Sequence, residues 1–406
     1  MNLHQGLLRA GIPSRMLTPD APEIPDPSIL PFNFPADSVE RLRKFWRVSI
    51  DRRLRQRGRK QKTVEVAFSG ATSIYGSGMD RHLPDAGIYH LHWVSEFVDY
   101  RILPRLQQRA PIVWTLHDMN PFTGGCHGSF DCKAYTSGCT DCPQLSVQNH
   151  LPQSFAQQTL NLKQRVFAEL DPTRIRFVAL SSWIQKEANR SVLLKDFETI
   201  LSPNGVDYTV FCPLDKQEAK KQLGIPTDKT VILLCAASLD DKYKGIPYAL
   251  EAIRKIPHSE NLLVMTVGNG SVSQTLEAHG IQVIELGSLN NNAEMAKAYN
   301  AADIAVVSSI QDNFPSVVLE AMACELPVVA FATGGIPDMI RHRETGLLAP
   351  TGDVVQLTES IMALVQNPEL RAPMGREARA RVRKHFTPEQ QTSKMADIYR
   401  ELLQIP

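Results

Sequence analysis

Three groups of residues in this 406-residue chain have types and spacings suited to chemistry. The first lies in residues 309–340, SIQDNFPSVVLEAMACELPVVAFATGGIPDMI, where Asp312 and Glu320 flank Pro315 and Ser316, a pair at which a helix can start. Helix N-termini attract anions. The backbone around Phe314, Pro315 and Ser316, with the helix dipole behind it, would bind a phosphate or a polar sugar without a metal. Glu320, within the first turns of that helix, can accept hydrogen bonds from a diol such as a ribose. The turn TGGIPD at 333–338 repeats the design.

The second group is GGCHGSFDCKAYTSGCTDCP, residues 124–143, which places Cys126, Cys132, Cys139 and Cys142 in a chain with only seven cysteines. Such spacing fits a metal site, disulfides or a redox pair. The gaps allow four thiolates to converge tetrahedrally, and Cys139-x-x-Cys142 has zinc-knuckle spacing, so a structural zinc is expected. Reduced thiols packing the loop are the alternative, with a redox pair third. A four-thiolate site has no open position for water, so this zinc would not be the catalyst. Cys212, Cys235 and Cys324 stand singly in apolar surroundings and read as buried filler. The third group is histidine: His117 ends the apolar run PIVWTL, and His90 and His92 alternate in YHLHWV. Alternation puts the last two on one strand face, which reads as a wall more than as a metal site.

These residues need elements to hold them. Apolar runs at 64–68, 87–94, 111–116, 174–180, 231–237, 261–267, 281–286, 303–308 and 327–331 alternate with helical patterns, the signature of parallel sheets covered by helices. Two doubly wound units fit. The turn Pro203-Asn204-Gly205 is placed as the boundary, giving a first domain at 1–205, a second at 206–385 and a C-terminal helix at 386–406 that returns to the first. Residues 18–37, with six prolines, are the most irregular part.

Composition excludes several classes. At 43% hydrophobic and 21% charged the chain is globular, and 406 residues suit two cores better than one. A formal net charge of +1 argues against a protein built as a whole to hold nucleic acid. No long apolar segment suggests secretion or membrane spanning, so a cytoplasmic location is expected, where a reducing environment disfavours disulfides. Residues 41–62 carry eleven basic residues against one acid, with Phe45 and Trp46 among them. That segment suits either a solvated helix face or peripheral contact with an anionic inner-membrane surface.

Taken together, Asp312, seven residues, Glu320, AMACELPVVA and the Gly-Gly turn resemble the E-x7-E region of retaining GT-B glycosyltransferases of family 4. SPNGVD, DKYKG (241–245), VGNGS (267–271) and AYNAADIAVVSS resemble further motifs of that family, in order along essentially the whole chain. WTLHDM, TGGC and CPQL resemble a subgroup similar to enzymes of exopolysaccharide and colanic-acid-type assembly. The resemblance implies two Rossmann-like domains facing a cleft and transfer of a hexose, with retention, from a nucleoside diphosphate sugar such as a UDP-sugar. The implied acceptor is a glycan or a lipid-linked glycan. Glu320 would hold the donor ribose, Asp312 the hydroxyls of the transferred sugar, and Lys244 the departing diphosphate. Asn313, Phe314, Pro315 and Ser316 would line sugar and phosphate, with Ser238, Lys242, Gly268 and Gly287 completing the donor site. His117 would contact the sugar or the acceptor. No protein nucleophile, catalytic metal or cofactor is implied, and the chain has no Asp-x-Asp pair for a magnesium diphosphate.

Three departures stand out. Asp312 replaces a glutamate, and Ser238 stands where an arginine usually precedes the phosphate lysine, so Lys242 substitutes or the diphosphate is held less tightly. Relatives also begin with a strand and a glycine-rich turn, whereas NLHQGLLRAG already reads as the following helix. The expectation is that either the true start lies upstream or the first domain lacks its first strand and with it one wall of the donor site, and that adding the upstream residues restores activity. These departures leave a second reading open: a catalytically impaired GT-B-like scaffold acting as a zinc-supported nucleic-acid or membrane binding module.

Overall fold

The computed structural model describes residues 2–20, 26–32, 67–145, 154–257 and 261–404. The chain forms two compact units, Leu3–Ser202 with Thr392–Pro406, and Pro203–Gln391. The division falls at the expected turn, but the second unit keeps residues up to 391. Hydrogen bonds explain this: Val206 N–H donates to the Phe386 carbonyl and Gly205 N–H to the Gln391 side chain, whose amide in turn donates to Asn204.

In the first unit four parallel strands run in consecutive order, β3 (Tyr89–His92), β4 (Ile112–Leu116), β5 (Ile175–Ala179) and β6 (Thr199–Leu201). Two short strands, β1 (Met16–Thr18) and β2 (Ile29–Pro31), pair separately. β4, IVWTL, is buried along its whole length, as a strand covered on both faces must be. Its Trp114 packs in a ring cluster with Tyr100, Phe167 and Phe177. On the other face Val113 and Val178 meet Leu3 and Leu7 of helix Asn2–Arg9 and Met395 and Ile398 of helix Pro388–Leu403. The first residues are thus a helix, as their sequence indicates. Of the expected strand at 64–68, residues 64–66 lie outside the described residues, and Phe68 makes an isolated antiparallel bridge to Cys126. The short β1, β2 and β6 have no sequence signal strong enough to stand out.

The second unit is a six-stranded parallel sheet in the order β12-β11-β10-β7-β8-β9, with β7 Thr230–Ser238, β8 Leu262–Asn269, β9 Gln282–Glu285, β10 Ile304–Val307, β11 Val328–Phe331 and β12 Gly346–Ala349. Counted from its own first strand this is the doubly wound order 3-2-1-4-5-6, read from the opposite edge. The chain reverses direction of travel between β7 and β10. Sheets of this order bind ligands beyond the carboxyl ends of those two strands.

Candidate functional site

The loops leaving β7 and β10 carry the expected donor residues. After β7, Asp241 caps a short turn by accepting from Tyr243 N–H, and that turn presents Lys244. Gly245 follows at φ 60°, and a Cβ there would lie 2.0 Å from the Ser308 carbonyl, so only glycine lets this turn lie against the end of β10. Ile310 N–H donates to the Tyr243 carbonyl and Ser308 Oγ to the Lys244 carbonyl, locking the two loops together. Lys244 and Asp312, 68 residues apart in sequence, consequently meet: Lys244 Nζ donates to Asp312 Oδ2 at 2.7 Å.

A third loop supports Asp312. Gly334, at φ 53°, brings TGG so close that a Cβ would lie 1.8 Å from the Asp312 carbonyl, which accepts from Gly335 N–H. Helix Ser316–Ala323 starts immediately afterwards, with Pro315 as N-cap and no side-chain cap on its first N–H groups. Asn313, Phe314 and Pro315 are buried and Ser316 is exposed. On the next turn Glu320 accepts from Tyr299 Oη at 2.7 Å. Burial raises the Glu320 carboxyl above its ordinary value, opposed by hydrogen bonds from Tyr299 and Ser316. Tyr299, itself buried, was not singled out by sequence, because an aromatic in a helix reads first as core.

Of the other donor residues, Ser238 ends β7 and Lys242 is exposed on the Lys244 turn. Gly268 N–H donates to the Gly287 carbonyl, so those two join the ends of β8 and β9. Gly268 sits at φ 131° with its Cα side against the Ala236 carbonyl, 1.7 Å from where a Cβ would stand. The arrangement offers one cation, two carboxylates and free helix N–H groups beside one another, suited to a ligand with both phosphate and hydroxyl groups.

In the first unit His117 follows β4 and shares a 2.9 Å hydrogen bond, through Nε2, with Nδ1 of His92 at the end of β3. The His90 ring lies tilted against that of His92 at 4.1 Å and is held by Thr115 and Tyr399. Burial lowers His90, to about 3, and His117, while His92 at the strand's end is exposed. Sequence reading passed over His127, whose Nδ1 pairs with Asp118 at 2.7 Å and whose Nε2 shares a hydrogen bond with Ser69 Oγ at 3.0 Å. It also passed over Lys163, fully buried, whose ammonium donates to the carbonyls of Asn120 and Thr123. Burial lowers that amine to about 7.

The four clustered cysteines line one cavity of about 10 Å³ with Tyr135 and Ala156. All are free thiols; Cys126 and Cys139 are buried, Cys132 and Cys142 less so. Burial pushes Cys126 to about 12 and Cys139 to about 11. Among the described residues no three His, Cys, Asp or Glu side chains are arranged to hold a metal ion. The four side chains thus share one cavity, with two thiols packed into the core and two nearer solvent. A Cβ at Gly124 would lie 2.9 Å from that of Cys139, so TGG serves the packing of this loop. The basic segment 41–62 lies outside the described residues. Among the described residues no helix is long and apolar enough to cross a membrane.

Comparison with known proteins agrees with this geometry. Residues 215–381, nearly all of the second unit, match the family Glycosyl transferases group 1. D-inositol 3-phosphate glycosyltransferase of Saccharomonospora viridis is 30% identical over 333 residues, covering 78% of this chain and 70% of that protein. In two further curated relatives the match spans 55% and 51% of the relative. Among solved structures, sucrose-phosphate synthase of Thermosynechococcus elongatus superposes with a TM-score of 0.68 at 20% identity, over 100% of this chain and 92% of that one. Anabaena HepE in complex with UDP-glucose gives 0.54 at 19%, over 74% and 75%. These structures share the GT-B fold of two Rossmann-like domains, and by sequence, over most of its length, the chain belongs to the group 1 glycosyltransferases.

Proposed function

We propose that this chain transfers a hexose from a nucleoside diphosphate sugar, a UDP-sugar first among candidates, to a glycan or lipid-linked acceptor in polysaccharide assembly, with retention and without a catalytic metal. The observation that carries the reading is the meeting of Lys244, Asp312, Glu320 and an uncapped helix N-terminus at the β7/β10 reversal of the second unit. The HepE structure with UDP-glucose supports a sugar-nucleotide ligand for this fold.

Roles follow from charge. The Lys244–Asp312 pair is partly exposed, with 33% of the lysine side chain open, so exchanging the aspartate for a phosphate costs little. An arriving diphosphate takes Lys244 and the amides at Ser316, and Asp312 turns to the sugar hydroxyls. Glu320, steadied by Tyr299, takes the ribose diol. As the bond from the anomeric carbon to the diphosphate oxygen breaks, the diphosphate gains charge, which the preplaced ammonium and amides stabilise more than in the ground state. The acceptor hydroxyl bonds to the same face and passes its proton to a departing phosphate oxygen.

A screen of UDP-, GDP- and ADP-sugars, with NMR of the product's anomeric configuration, tests this. Transfer from a UDP-sugar with retention, insensitive to EDTA and abolished in Glu320→Ala, is expected. Preference for another base, or inversion, would overturn those parts separately; no nucleotide raising the melting temperature would sink the whole reading.

A further inference from the structure

Trp93 immediately follows β3 and is 64% exposed, unusual for the largest apolar residue type. Its backbone lies at φ 37°, the left-handed region that side chains seldom adopt, and Glu96 three residues on lies at 67°. Trp93 immediately precedes the tight turn at 94–97 that contains Glu96. Val94 and Val98 are buried on the inner side of that turn, and the Val94 carbonyl accepts from Phe97 and Val98 N–H. The anchored turn therefore drives Trp93 outward at a conformational cost. Strain of this kind, held by its surroundings, collects at ligand sites.

The neighbours of the indole are polar. Its ring meets that of His127 edge-on at 6.2 Å, and His127 is fixed by Asp118 and Ser69. His92, the preceding residue, is joined to His117. A pyranose ring has a face of C–H bonds and a rim of hydroxyls, which match an indole face bordered by imidazole and carboxylate groups. The site lies at the carboxyl end of a parallel sheet, where such sheets bind ligands. We infer that Trp93 is the stacking face of a carbohydrate subsite on the first unit, taking a sugar ring of the acceptor; this rests on the glycosyl-transfer reading above.

Saccharide titration of the full chain tests it: methyl α-D-glucopyranoside, methyl N-acetyl-α-D-glucosaminide and maltotriose, followed by saturation-transfer NMR and indole fluorescence. At least one saccharide should quench the wild type, bind about tenfold more weakly to Trp93→Leu, and regain most of its affinity in Trp93→Phe. Stabilisation by UDP should be unchanged in both variants, which shows them folded and keeps this result separate from the donor-site reading. Equal binding by wild type and Trp93→Leu, or no binding at all, overturns the subsite. So does Trp93-dependent partition onto phosphatidylglycerol vesicles without any saccharide response, which would make the indole a lipid contact.

Discussion

The strand ends of the two units are built from opposite materials. In the second unit charged groups meet: Lys244 with Asp312, and Glu320 with Tyr299, around an uncapped helix start. In the first, burial depresses His90 and His117 and raises Cys126 and Cys139, favouring their neutral forms, and the exposed indole of Trp93 follows His92. A diphosphate calls for the former. A neutral sugar ring, held by stacking and hydrogen bonds, calls for the latter. On the proposed reading one unit stabilises charge and the other recognises shape and hydroxyls.

The sharpest way to break this contrast is to remove the cation. Lys244→Ala should lower kcat by roughly 10²–10³, the usual cost of losing one preorganised electrostatic group, with little change in melting temperature. A loss under about threefold, well below that range, would remove Lys244 from the leaving-group role.

A smaller effect is expected from Tyr299→Phe. The phenol's hydrogen bond holds the Glu320 carboxyl down against burial, so its loss should raise that carboxyl further. If the carboxylate form binds the ribose, the acidic limb of kcat/KM for the donor moves to higher pH, and the donor KM at pH 6 rises several-fold more than at pH 8. An unshifted limb would make Tyr299 a packing residue only.

In the first unit pH should act on stability instead. His90, lowered from 6.5 to about 3, stays neutral in the fold while the unfolded chain binds a proton. The stability it contributes is present above pH 6.5 and is lost as pH falls toward 3. Melting temperature should drop between pH 7.5 and 5, and His90→Gln, which still reaches Thr115 or Tyr399, should flatten that slope. An equal slope in the variant would refute the assignment.

The cysteine loop should give the smallest functional effect. In native protein a thiol reagent should modify Cys132 and Cys142 quickly and Cys126 and Cys139 slowly, without loss of nucleotide binding. Release of one zinc together with all four thiols would show instead that the loop closes on the ion its spacing suggests.

The two units also differed in how legible they were. The proposed donor residues could be named because each lies in a short local pattern, a strand end followed by a glycine turn or a helix start, whose backbone is suited to binding an anion. Tyr299 escaped notice because its role depends on an acid 21 residues away. In the first unit residue types were legible but groupings were not. His127, Lys163 and Trp93 act through Asp118, Asn120 and a strained turn, none of which has a sequence period.

By itself the sequence determined the alternation of buried strands and helices, the division near Pro203 and the motifs of the donor loops. Apolar runs and obligatory glycines act over a few residues, so their physics is written locally. Only the tertiary structure decided that Lys244 pairs with Asp312, that the four cysteines share a cavity, and that Trp93 faces solvent. The first depends on which strand ends lie side by side, and in a parallel sheet those strands are separated by a whole crossover of chain; the other two depend on the path of irregular loops, which no sequence period records.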